Sequence, residues 1–80
     1  MNICTVVKNR ILFLCEKNGI TVCKLASESG IPHSTLKSIL YGKSKNPGIV
    51  TIKILCDGLV ISITEFFNTP EFKNLEQEIK

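Results

Sequence analysis

The chain has 80 residues, 44% of them hydrophobic and 21% charged, with a formal net charge of +3. That length suits one small domain rather than a binding domain joined to a catalytic one, and the hydrophobic share excludes intrinsic disorder. The apolar runs fall far short of the ~20 residues a membrane span needs, and the start MNICTVVKNR lacks the basic-then-apolar order of a signal peptide, so a cytoplasmic address with no membrane association is expected.

The first helix is expected over about residues 4–18, where Val7, Ile11 and Leu14 repeat at helical spacing and Asn18-Gly19 supplies a stop. Ile20 then enters the core. Thr21 is a hydroxyl N-cap for a second helix that turns Leu25 and Ala26 inward, and Gly30 ends it. Ile31 adds a core contact, and Pro32 suits the start of a third helix with Leu36 and Ile39 inward. This leaves His33, Ser34, Lys37 and Ser38 on its outward face. Two short helices joined by a tight glycine turn over residues 21–42 are the signature of a DNA-binding helix-turn-helix.

Further along, GKSKNPG at 42–48 reads as a loop, with two glycines, a proline and no apolar period. A fourth helix starts near Ile49 and buries Ile52, Leu55, Cys56 and Leu59. Ser62 with Glu65 three positions on is a capping-box pattern, and Phe66-Phe67 close the core from a fifth helix. Thr69-Pro70-Glu71 combines a cap, a first-position proline and an acidic first turn, which predicts a sixth helix over 70–79 with Phe72, Leu75 and Ile79 as its apolar residues. The organisation expected is one domain over 1–68 followed by a tail at 69–80.

Charge is distributed unevenly. Residues 1–53 carry Lys8, Arg10, Lys17, Lys24, Lys37, Lys43, Lys45 and Lys53 against Glu16 and Glu28, a balance of +6, whereas residues 54–80 balance to −3. Positive charge around the helix-turn-helix is a footprint for phosphate. The cysteines Cys4, Cys15, Cys23 and Cys56 form no CxxC, and the single histidine, His33, has no cysteine at ligand spacing, so neither a metal nor any other cofactor is expected. Cys15 and Cys56 fall on apolar phases as small core residues, and Cys4 and Cys23 are more exposed.

The segments NGIT at 18–21, LASESGI at 25–31, STLKSILYG at 34–42, KSKNPG at 43–48 and SITEFF at 62–67 resemble, in order and spacing, the lambda-repressor-like, Cro-type (XRE) helix-turn-helix family over roughly residues 5–67. The resemblance implies an all-α, five-helix domain, here with a short C-terminal sixth helix, acting as a sequence-specific DNA-binding transcriptional regulator and not as an enzyme. It implies a repressor that works by occupancy. Base edges would be read by His33, Ser34, Lys37 and Ser38, and phosphates held by Thr21, Tyr41, Lys43, Ser44, Lys45 and Asn46. The partner would be double-stranded DNA, bound by a homodimer. Val50, Ile54, Phe72, Leu75 and Ile79 are candidates for its interface, unless the tail helix covers its own core. A second reading makes the fold a protein-interaction module, such as the antitoxin of a toxin–antitoxin pair or an anti-repressor.

Three positions depart from the family pattern. Cys15 and Leu40 stand where many members have an Arg–Glu pair, an exchange the fold tolerates because a buried ion pair often stabilises no better than packed apolar groups. Val60 stands where Gly or Asn is usual, so either the turn is remodelled or a β-branched residue is strained there. Ile54 replaces a commonly charged residue, forming an apolar strip with Val50.

Overall fold

The computed structural model describes residues 3–41 and 48–75. These form six helices and no strand: α1 (Ile3–Lys17), α2 (Val22–Ser29), α3 (His33–Leu40), α4 (Ile49–Leu59), α5 (Ile63–Phe67) and α6 (Pro70–Lys73). The apolar periodicity seen in the sequence converges on one core. Val7, Ile11, Leu14 and Cys15 from α1 meet Leu25 and Ala26 from α2, Leu36, Ile39 and Leu40 from α3, four residues of α4 and Phe66 of α5. Cys15 and Leu40, the apolar substitutes for an ion pair, both lie in this core.

The first, second and fourth helices end in the same way. Gly19, Gly30 and Val60 each adopt positive φ. The isoleucine after each of them donates its N–H back to a carbonyl five residues earlier, Ile20 to Cys15, Ile31 to Ala26 and Ile61 to Cys56, at 3.0–3.1 Å. This is the Schellman closure, which satisfies orphan carbonyls and turns an apolar residue onto the preceding helix. All three isoleucines pack against the core. The turn at Val60 is therefore not remodelled: at φ 59°, ψ 44°, a β-branched residue holds a conformation that glycine adopts freely.

Two further contacts lock the bundle. A Cβ placed on Gly58 of α4 would stand 2.1 Å from Ser29 Oγ, 3.3 Å from Ser29 Cβ and 3.4 Å from Leu25 Cδ1, so the missing side chain sets how closely α4 approaches α2. Ser29 Oγ, in that seam, is buried without a hydrogen-bond partner. Across the molecule, Arg10 of α1 donates from Nε to the carbonyl of Phe66 and from Nη2 to that of Glu65, both at 2.9 Å. It thereby supplies a donor to the Phe66 carbonyl and a second one to that of Glu65, which also accepts the Asn68 N–H at 3.3 Å, at the end of a helix too short to pair its last carbonyls internally.

The tail differs from its expected form. Its helix is one turn long and stops at Asn74, whose N–H closes onto the Pro70 carbonyl, instead of running from 70 to 79. Asn favours such a helix end because its side chain competes for backbone hydrogen bonds. Phe72, offered by the sequence as an interface residue, is half-buried, with its ring 4.8 Å from that of Phe67 and 6.1 Å from that of Phe66. The first turn of the tail thus lies on its own domain's core. Leu75 is half-buried beyond the helix, and Ile79 lies outside the described residues.

Candidate nucleic-acid interface

The outward surface of the helix-turn-helix begins at Thr21. Its hydroxyl oxygen accepts the Lys24 N–H at 3.0 Å as the N-cap of α2, and its backbone is extended. The hydroxyl proton stays available to an exterior acceptor, since the cap uses only the oxygen's acceptor capacity. Pro32 caps α3 with no side-chain hydrogen bond, so the first amides of that helix point outward unsatisfied by a cap. A helix end of this kind favours an anion.

Along α3, Leu36, Ile39 and Leu40 are buried, and this fixes which side faces out. Ser34, Lys37, Ser38 and Tyr41 recur at i, i+3, i+4 and i+7, one continuous stripe. Ser34, Lys37 and Tyr41 are exposed, Tyr41 by 64%, and Ser38 is half-buried. Lys37 has no ion pair among the described residues. In contrast, Lys24 is paired with Glu28 at 3.2 Å and Lys53 with Asp57, so part of the basic surface counted from the sequence is neutralised locally. Arg10 is likewise occupied by α5. Lys43, Ser44, Lys45 and Asn46 lie outside the described residues.

His33 sits at the flank of the stripe. Its Nε2 is 3.2 Å from Cys23 Sγ, a hydrogen bond that joins the first turn of α3 to the first turn of α2. Nothing in the linear sequence joins this histidine to a cysteine, since ligand spacing is absent and the turn brings together residues ten apart. Thr35, also exposed on α3, is a further outward residue beyond those expected from sequence. Arg10 could not have been found by any local signal, as its acceptors lie 55 and 56 residues away.

Elsewhere, Ile49, Val50 and Ile54 expose an apolar strip on α4, extending the pair anticipated from sequence by one residue. Burial pushes the Cys15 and Cys56 thiols above their usual range; for Cys56 the cations of Lys53 and Arg10 pull weakly the other way, while the Asp57 carboxylate adds to the rise. Both are packing groups. No group of three or more potential metal ligands occurs among the described residues, and no helix among them is long and apolar enough to cross a membrane.

This geometry has known counterparts. The chain is similar to the crystal structure of prophage Lp1 protein 11, with a TM-score of 0.83 and 29% sequence identity over 94% of this chain and 100% of the other. No curated protein sequence matches it. The model of the Cro/C1-type HTH DNA-binding domain matches residues 10–71, which takes in everything from Arg10 to the first turn of the tail. With the matched region holding both helices of the motif and the core beneath them, the chain belongs to the Cro/C1-type helix-turn-helix DNA-binding family.

Proposed function

We propose that this protein is a sequence-specific transcriptional regulator that represses by occupying its operator as a homodimer, without catalytic activity. The observation that carries the reading is the stripe of Ser34, Lys37, Ser38 and Tyr41 on α3, solvent-facing beside the capped N-terminus of α2. A helix presented in this way fits the major groove. Lys37 can donate to guanine O6 and N7, the serines can donate or accept, and Thr21 and Tyr41 reach toward flanking phosphates. Lys43, Ser44, Lys45 and Asn46 add phosphate contacts, and His33 reads a base from the flank when it is not turned to Cys23. A single recognition helix covers few base pairs, so two domains paired through the Val50–Ile54 strip, their recognition helices about 34 Å apart, supply the specificity.

Selection from a random duplex library, followed by anisotropy titrations across salt, tests this. The expected result is a pseudo-palindromic site with half-sites centred ~10 base pairs apart. Replacing both Lys43 and Lys45 by Ala should weaken binding to all sequences and flatten the salt slope by about 1 for each phosphate no longer neutralised, and Lys37→Ala should change the preferred bases. No selected sequence, together with a stable complex with a different protein, would instead support the interaction-module reading, for which the exposed Ile49, Val50 and Ile54 would be the docking surface.

A further inference from the structure

We propose that Cys23 and His33 form a two-donor site for a thiophilic divalent metal ion of the zinc class, and that filling this site releases DNA. The two side chains belong to different helices of the motif, are both exposed, and bring Sγ and Nε2 to 3.2 Å. Sulfur at about 2.3 Å and nitrogen at about 2.0 Å from one tetrahedral ion stand about 3.5 Å apart, so a small side-chain rotation converts the hydrogen-bonded pair into a chelate. Thiolate with imidazole is the donor combination that selects such ions over hard cations. The thiol needs no prior activation: its proton leaves to solvent as the metal–sulfur bond forms, and the neutral imidazole binds through the Nε2 lone pair. The neighbouring ammonium of Lys24 is drawn to Glu28. Water or a small external thiol fills the remaining coordination positions, which open to solvent.

The consequence follows from where the chelate sits. It joins the first turn of α2, next to Thr21, to the first turn of α3, at the edge of the Ser34–Lys37–Ser38–Tyr41 stripe. A bound ion takes the His33 nitrogen that would otherwise face a base and adds a ligand shell where the duplex must approach. The metal site stands on the Cys23–His33 geometry alone. Its effect on DNA rests on the proposed use of α3 in the groove.

The test uses the full, reduced chain and Zn(II) alone. Titration is followed by the imidazole NMR signals of His33 and by competition with a chromophoric zinc indicator. Uptake of one equivalent with perturbed His33 signals is expected, as is its loss in Cys23→Ser and its retention in Cys4→Ser. Affinity for a selected duplex should fall at least tenfold at saturating Zn(II) in the parent chain and in Cys4→Ser, and stay unchanged in Cys23→Ser. Unperturbed His33 signals, or equal uptake by Cys23→Ser, would overturn the site. Uptake at Cys23 and His33 with unaltered DNA affinity would overturn the regulatory role. A chain that takes up zinc at this pair yet binds no duplex would uphold the site, overturn its control of DNA binding and sink the operator-binding reading itself.

Discussion

Replacing Val60 by glycine should stabilise this protein. The residue ends α4 at φ 59°, ψ 44°, the same conformation that Gly19 and Gly30 supply at the ends of α1 and α2. An L-residue there brings Cβ close to the following carbonyl oxygen, at a cost of about 1–2 kcal/mol, and branching at Cβ puts valine toward the upper end. Removing the side chain forfeits little burial, since Val60 is 89% exposed. The opposing effect is the extra freedom of glycine in the unfolded chain, about 0.4–1 kcal/mol. The balance is a gain of about 1 kcal/mol, which for a domain of this size raises Tm by roughly 4–8 °C. Urea unfolding should show a higher midpoint at an unchanged m-value, the sign of a native-state effect without altered compactness. Val60→Ala, which keeps Cβ but loses the branch, should fall between the two. A glycine variant that melts below the parent would refute the reasoning, because it would mean that Val60 does not hold positive φ or that its side chain has a partner.

Arg10→Ala should destabilise by about 1–2 kcal/mol, since two carbonyls at the end of α5 lose a charged donor at a partly exposed site, and Arg10→Lys should recover little because an ammonium cannot span both acceptors in one plane; chemical denaturation of the three chains decides it. Ser29→Ala should stabilise by about 1 kcal/mol by removing a buried hydroxyl without a partner, and Gly58→Ala should be less damaging in that background than in the parent, so a double-mutant cycle should report a non-zero coupling. The raised Cys15 and Cys56 thiols favour the protonated, folded form, so their stabilising contribution is complete below the ordinary thiol value of 9.0 and is lost as pH climbs through the higher folded values. Cys15→Val should accordingly lose less stability between pH 8 and pH 10 than the parent does, measured by urea midpoint.

Much of the fold was legible because its determinants are local. The apolar spacing of Val7, Ile11 and Leu14, the hydroxyl caps at Thr21 and Ser62, and the glycines at 19 and 30 each act within one or two helical turns, so the order of elements and the inward faces of α1 to α5 follow from reading along the chain. The outward stripe of α3 was legible for the same reason: once Leu36 and Ile39 face in, Ser34, Lys37 and Ser38 cannot. The sequence also isolated Val60 as anomalous, though not which way the anomaly would resolve. Backbone geometry settled that, because the hydrogen bond of Ile61 to Cys56 forms only if Val60 takes the left-handed turn. What tertiary structure alone decided involves groups far apart in the chain or competing for the same space. Whether the tail stands free or returns to the core depended on Phe72 finding the rings of Phe66 and Phe67. Arg10, counted as surface charge, became a structural donor only when α5 was laid beside α1. Cys23 and His33 have no relation in a linear reading, since neither helical nor ligand spacing connects positions ten apart across a turn. Their contact arises because the turn closed by Gly30 and Ile31 sets the first turns of α2 and α3 side by side.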